Sequence, residues 1–335
     1  MKTRWLWPLA AALALAAVAA VDTGTNAQDR DAPPSAPPVA EPEGVQVQTR
    51  GPVHEAYAEP VTYNDQAPPL VTKQPPDPID EIPPDQKPEG DNVQWIPGYW
   101  AWEADQSNFV WVSGFWRDVP PDRQWVPGHW QQVQDGWQWS PGFWTTTSQD
   151  QVQYLPPPPE PVDSGPSTPA PDESSIYVPG CWMWRAERYA WRPGFWMAYR
   201  PGWLWQPAHY CWSPGGYIFV DGYWDYPLER RGLLFAPVTV QSDVLTTNWT
   251  YTPSYVVQPD FLLSALFVRP RCYSYYFGDY FEPSYAQRGF VPFLDYRVTR
   301  ASFDPLFTYY AHSFRDPRRW ERGLRDLYVA RRENR

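Results

Sequence analysis

Seven tryptophans stand at one repeated position of this chain: Trp100, Trp116, Trp130, Trp144, Trp182, Trp196 and Trp224. A rigid, flat indole stacks on the C–H face of a sugar with little loss of side-chain freedom. A row of them suits binding of a glycan or cell-wall polymer, and these seven are the ligand-binding candidates. Few other residues are placed for chemistry. His209 and Cys211 lie two apart and Cys181 could approach them, but this spacing matches no zinc pattern and lacks a fourth ligand. The sequence has no nucleophile elbow, phosphate loop or paired metal-ligand motif, and Asp221, Asp225 and Glu229 are spaced as turn and strand-edge acids. No catalytic residue, metal or cofactor is expected, and an enzyme would need a polar cleft in the C-terminal block.

The tryptophans belong to a repeat. Full copies of W-x-x-G-x-W are Trp95–Trp100, Trp111–Trp116, Trp125–Trp130, Trp139–Trp144 and Trp191–Trp196; Tyr177–Trp182, Trp205–Tyr210 and Phe219–Trp224 are degenerate copies. Their centres are Gly98, Gly114, Gly128 and Gly142, then Gly180, Gly194, Ala208 and Gly222, and a near-constant period signals a repeat architecture. Aromatic residues alternate around each centre (Phe109, Trp137, Tyr189, Trp203 and Tyr217 precede the first Trp position by two), which is the period of a β-strand. One strand of about nine residues plus a turn per repeat predicts an antiparallel meander.

The central Pro-Gly step admits two readings. It could be a type II turn with Gly at a positive φ, or a β-bulge whose extra residue brings two tryptophans five apart onto one face. The bulge explains the side-chain pattern better. It sends Tyr99, Phe115, His129, Phe143, Cys181, Phe195, His209 and Tyr223 to the opposite face. Repeated Trp is also a way to build a core, because one buried aromatic removes about 150–250 Å² from water.

Around the repeats the composition changes. Residues 1–27 read as a secretory signal: Lys2 and Arg4, an apolar run from Trp5 to Ala20, then small residues. Export to the periplasm or cell surface follows, with membrane contact peripheral at most. Residues 28–92 carry 13 acidic and 4 basic side chains among many prolines; such a segment reads as a disordered linker. A second Pro-rich break, residues 146–175, contains Pro156 to Pro159 and favours a polyproline II spacer. The repeat arrays are then residues 93–145 and 176–226. The formal net charge of −11 argues against nucleic acid as a partner.

Residues 227–335 form an aromatic-rich α+β block. Leu233 to Val240 reads as a strand, and Cys272 to Phe277 with Tyr280 to Tyr285 as a hairpin. Asp304–Pro305 and Asp316–Pro317 read as helix starts, with Asp as N-cap and Pro at N1. Trp320, Leu324, Leu327 and Tyr328 fall on one helix face. The tail from Arg315 to Arg335 holds 8 Arg against 4 acids. Among three cysteines, Cys181 and Cys211 are the candidate disulfide, which would need the second array to fold over. The fold class expected is mainly β with α at the C-terminus, a Trp-rich antiparallel meander of about eight repeat strands in two arrays, plus disordered Pro-rich segments.

Copies such as WVPGHW at 125–130 and WRPGFW at 191–196 resemble the WXXGXW, or YXWGXW, repeat family of bacterial envelope proteins, and the signal and Pro-rich spacers resemble its secreted planctomycete-type members. The resemblance covers 93–145 and 176–226. It implies export and an envelope setting and carries no established activity. Two functions are left open: glycan or wall-polymer binding through aromatic faces, or an envelope scaffold that self-assembles or docks protein partners with its Trp buried.

Overall fold

The computed structural model describes residues 42–62, 67–148, 151–163, 165–245, 249–296 and 303–333. The signal-like segment 1–27 lies outside them. The described chain is mainly β, with short, mostly antiparallel sheets throughout and its α-helices after residue 258.

The repeats pair in twos. In hairpin 1 (residues 93–118), Tyr99–Glu103 pairs with Asn108–Val112 near the turn, and Val93–Ile96 pairs with Phe115–Asp118 at the open end. Hairpin 2 (123–146), hairpin 3 (175–198) and hairpin 4 (204–225) repeat this plan. Each hairpin therefore holds two repeats, with its tryptophans directly opposite one another: Trp95 faces Trp116, and Trp100 faces Trp111. The meander is thus divided into four separate hairpins, because the second strand of one does not pair with the first of the next, and within each hairpin both strands break at the repeat centre.

The register corrects the bulge. Ile96 faces Phe115 and Tyr99 faces Val112, so two residues oppose two across the break and none is inserted. Nor is it a type II turn: none of the seven repeat-centre glycines has a positive φ. Glycine is required here for lack of a side chain. A Cβ on Gly98 would fall 2.8 Å from Trp111, on Gly114 2.7 Å from Trp95, and on Gly222 2.6 Å from Trp205. Gly128, Gly142, Gly180 and Gly194 are overlain at least as closely by Trp139, Trp125, Trp191 and Tyr177. The first aromatic of each repeat thus lies on the glycine of its partner repeat, and the pattern is a cross-strand packing rule.

The residue after the centre turns into the shared core in only some of the repeats. Phe115, Phe143 and Tyr223 are buried there with Ile96 and Leu204, whereas His129 and Phe195 are exposed. The C-terminal block closes this core with a four-stranded sheet in the order Gly51–Pro52, Ser274–Phe277, Leu266–Arg269, Val291–Pro292. The hairpin expected over 272–285 is replaced: Ser274–Phe277 pairs back onto Leu266–Arg269, and Pro283 opens the short helix Pro283–Gln287. Of Leu233 to Val240 only Val238–Val240 is strand, pairing with Val45–Val47. Both Asp-Pro helix starts hold: Asp304 accepts from the Phe307 N–H at the head of Pro305–Ser313, and Asp316 from the Arg319 N–H at the head of Pro317–Arg332. On the latter helix Tyr328 is buried, Trp320 and Leu324 are half-buried, and Leu327 is exposed. None of the described helices is long and apolar enough to cross a membrane.

The described parts of the Pro-rich segments do not hang free as linkers. They lie along the hairpins, which supply them with hydrogen-bond donors and so repay their ordering entropy.

Candidate functional site

The repeat tryptophans meet the Pro-rich segments. On hairpin 1, the Trp100 indole N–H donates to the Asp77 carbonyl at 2.9 Å and that of Trp116 to the Pro84 carbonyl at 2.9 Å. Between them Glu81 reaches the strand breaks. Its carboxylate accepts from the Trp111 indole at 2.6 Å, the Gly114 N–H at 2.9 Å and the Gly98 N–H at 3.1 Å. These glycine N–H groups fall in the unpaired step of the ladder, so the carboxylate serves donors that the sheet leaves over. The three indole groups all reach one strap, which puts Trp100, Trp111 and Trp116 on one side of the hairpin.

Hairpin 3 has the same device. Trp182 donates to the Glu160 carbonyl at 3.0 Å and Trp196 to the Thr168 carbonyl at 3.1 Å. Asp163 lies between, accepting from the Gly180 N–H at 2.5 Å and the Tyr177 hydroxyl at 3.1 Å. Trp182 and Trp196 occupy the positions of Trp100 and Trp116, so both straps run in the same direction. Their sequences agree as well: Pro75-Pro76-Asp77-Pro78-Ile79-Asp80 and Pro158-Pro159-Glu160-Pro161-Val162-Asp163 share the form P-P-[DE]-P-[IV]-D.

The other two hairpins draw on residues 54–62. In hairpin 2, Glu55 accepts from the Trp139 indole at 2.7 Å and the Gly142 N–H at 2.9 Å, the counterparts of Trp111 and Gly114. In hairpin 4, Glu59 accepts from the Tyr223 hydroxyl at 2.8 Å and lies 3.6 Å from His209 Nε2. Burial pushes the Glu55 and Glu59 carboxyls up to about 8 and that of Glu81 up to about 7, against the pull of their donors. Burial lowers His209 to about 4, so its imidazole is neutral beside Glu59.

A buried ion cluster ties the hairpins together. Arg117 of hairpin 1 grips Asp225 of hairpin 4 through one nitrogen at 2.6 and 2.8 Å. Arg231 adds an ion pair to Asp225 at 2.9 Å, too bent for a hydrogen bond, and also donates to the Tyr57 and Tyr226 carbonyls. Asp225, which the sequence suggested was an edge residue, is central to the core. Asp221 and Glu229 are exposed.

The seven candidate tryptophans do not form one open row. Trp100 and Trp144 are buried, at 4 % and 1 % exposure. Trp116, Trp130, Trp182, Trp196 and Trp224 are half-buried, and none of the described tryptophans is fully exposed. Only Trp100 and Trp130 are joined directly, by the Trp130 indole donating to the Trp100 carbonyl at 2.8 Å. Arg117 covers the Trp144 ring, Lys87 that of Trp116, and Arg200 that of Trp224.

The Cys181–Cys211 disulfide is absent, and both thiols are free and buried. Strand alternation is the cause. Tyr210 points to hairpin 3, where its hydroxyl reaches the Trp182 carbonyl at 2.8 Å, so the next residue, Cys211, points the other way into the main core. Cys181 packs with Leu155, Ala208 and Tyr210, and burial raises its thiol to about 12.

Two cavities adjoin the repeats. One of about 210 Å³ lies between hairpins 2 and 4 beside Arg123, Trp144 and Phe219, and one of about 120 Å³ lies beside Glu55, Trp102, Trp130, Arg269 and Cys272. Small-molecule sites usually enclose about 300–1,000 Å³.

Fold and site together define a repeat protein of paired β-hairpins, each broken at opposed glycine positions and closed by carboxylates from elsewhere in the chain. The chain contains WXXGXW repeats: the family described as WXXGXW repeat matches residues 90–117, 176–197 and 200–225. Hairpin 2 keeps two full copies of the motif outside those matches. No curated protein and no solved structure matches the chain.

Proposed function

We propose that this is a non-catalytic structural protein of the cell envelope, in which the WXXGXW hairpins form a scaffold clamped by the chain's own proline-rich straps. The observation that carries the reading is the use of the tryptophans: none of those described is fully exposed, and six repeat indole N–H groups are occupied by strap or segment oxygens. An indole platform for a sugar must present its face to solvent, and here Trp100 and Trp144 are buried and cations lie over the Trp116, Trp144 and Trp224 rings. The cationic and apolar start of the chain supports export.

Co-sedimentation of the full chain with peptidoglycan and insoluble polysaccharides, followed by Trp fluorescence, tests this. The scaffold reading expects no saturable binding and no emission shift. Saturable binding that soluble sugar competes away would restore the glycan reading and assign it to Trp116, Trp182, Trp196 or Trp224.

A further inference from the structure

The two strap contacts are independent occurrences of one interaction. Each joins a different hairpin to a different segment, yet the third residue of P-P-[DE]-P-[IV]-D accepts from the equivalent indole in both, Trp100 to Asp77 and Trp182 to Glu160. In both, a carboxylate three or four residues further on takes a break-glycine N–H, and a carbonyl near the strap's end takes the last indole of the hairpin. A contact made twice with the same motif and direction, and with equivalent donors at Trp100 and Trp182, Gly98 and Gly180, and Trp116 and Trp196, has the properties of ligand recognition. Extended proline-rich chain suits it: its carbonyls are free of internal hydrogen bonds and its backbone is already ordered.

We propose that the WXXGXW hairpin is a receptor for an extended, acidic, proline-rich peptide of the form P-P-[DE]-P-[IV]-D, and that straps 75–84 and 158–168 are its ligands in cis. Two fixed indole donors read the strap backbone at either end, and the break-glycine N–H reads a carboxylate between them. The strap on hairpin 3 is the exchangeable one. Its described residues after Leu155 are mostly exposed, whereas strap 1 is held on its other side by Thr250–Tyr251. A second copy of this chain supplies the same ligand in trans, which links copies by strap exchange. This goes beyond the scaffold reading and does not depend on it.

The test uses the full chain with residues 158–168 replaced by a Gly/Ser linker of equal length, and a fluorescent peptide of residues 156–168. Anisotropy should show saturable binding to the linker variant and little to the unaltered chain, whose own strap occupies the site. A peptide of residues 75–85 should compete. A peptide carrying Asp163→Ala should bind about tenfold more weakly or worse, since a charge-assisted contact is lost. If the linker variant does not fold, the Asp163→Ala full chain replaces it, and added peptide must then change its Trp emission saturably. A folded variant that binds neither peptide, or binds the Asp163→Ala peptide equally well, overturns the proposal, and so does an unresponsive Asp163→Ala chain.

Discussion

The packing rule predicts a compensating pair of substitutions in hairpin 4. Trp205 lies on Gly222, and a Cβ there would meet Trp205 at 2.6 and 3.2 Å, with the Ala208 nitrogen next at 3.3 Å. Only one side chain blocks the site, so Gly222→Ala should cost about 1–3 kcal/mol by overpacking. The other half of the hairpin shows the remedy. Ala208 replaces glycine there, and the residue at the overlying register position is Phe219 instead of Trp. Trp205→Phe in the Gly222→Ala background should therefore recover about 1–2 kcal/mol, a coupling expected of residues in direct contact. Trp205→Phe also removes a buried indole N–H that has no partner, so it loses no hydrogen bond of its own. Urea unfolding of the four proteins in the cycle gives the coupling. Additivity within about 0.5 kcal/mol would refute the claim that glycine is selected by the overlying indole.

Removal of a strap carboxylate should be costly. Glu81→Ala leaves three donors without an acceptor and should lose about 3–5 kcal/mol, whereas Glu81→Gln keeps one oxygen and loses about 1–2 kcal/mol; equal, small effects on the urea midpoint would contradict this. The turn of hairpin 3 places Ala186 and Glu187 at φ of 48° and 56°, a conformation that favours Asn-Gly. Ala186→Asn with Glu187→Gly should raise stability by about 1–2 kcal/mol, read as a higher melting temperature, and a fall would count against the turn geometry. Stability should also depend on pH in two opposed ways. His54 and His209 are lowered to about 4, so the unfolded chain binds their protons first, and their contribution, full above the ordinary value of 6.5, is lost as pH falls to 4. Glu55, Glu59, Glu81 and Asp304 are raised to about 7 or 8, so their contribution is full below their ordinary values and is lost as pH rises through the folded ones. The raised acids outnumber the lowered histidines, so the urea midpoint should fall between about pH 5 and pH 8; a steady rise over that range would show the acids ionised throughout.

Much of this architecture was legible in the sequence. The eight repeat centres, their strand character and the two Asp-Pro helix starts follow from local pattern. The pairing of Trp95 with Trp116 does not, because antiparallel meander and separate hairpins share the same alternation, and only long-range packing selects between them. Glycine at the break misled for a related reason. Its usual warrant is a positive φ, and here the warrant is a neighbouring indole that sequence does not place. The straps were hidden by composition: proline and carboxylate runs lack the apolar residues that normally offset ordering, and the indole donors that do so lie elsewhere in the chain. One signal could have found them, the recurrence of P-P-[DE]-P-[IV]-D at 75–80 and 158–163. Four of the candidate tryptophans, Trp100, Trp116, Trp182 and Trp196, turn out to be donors to the straps, and the carboxylates Glu55, Glu59, Glu81 and Asp163 were missed.

The most direct test of the account is hydrogen exchange at the strand breaks, read by NMR at the amides of Gly98, Gly114 and Gly142 and the indoles of Trp111 and Trp139. None of these three glycines lies in a paired strand segment, so nothing but Glu81 or Glu55 protects its N–H. The account predicts strong protection at all five groups, with the Gly98, Gly114 and Trp111 protection lost in Glu81→Ala. Exchange at the rate of an unfolded chain in the unaltered protein would contradict it, leaving the straps as passive spacers and the tryptophans available for another ligand.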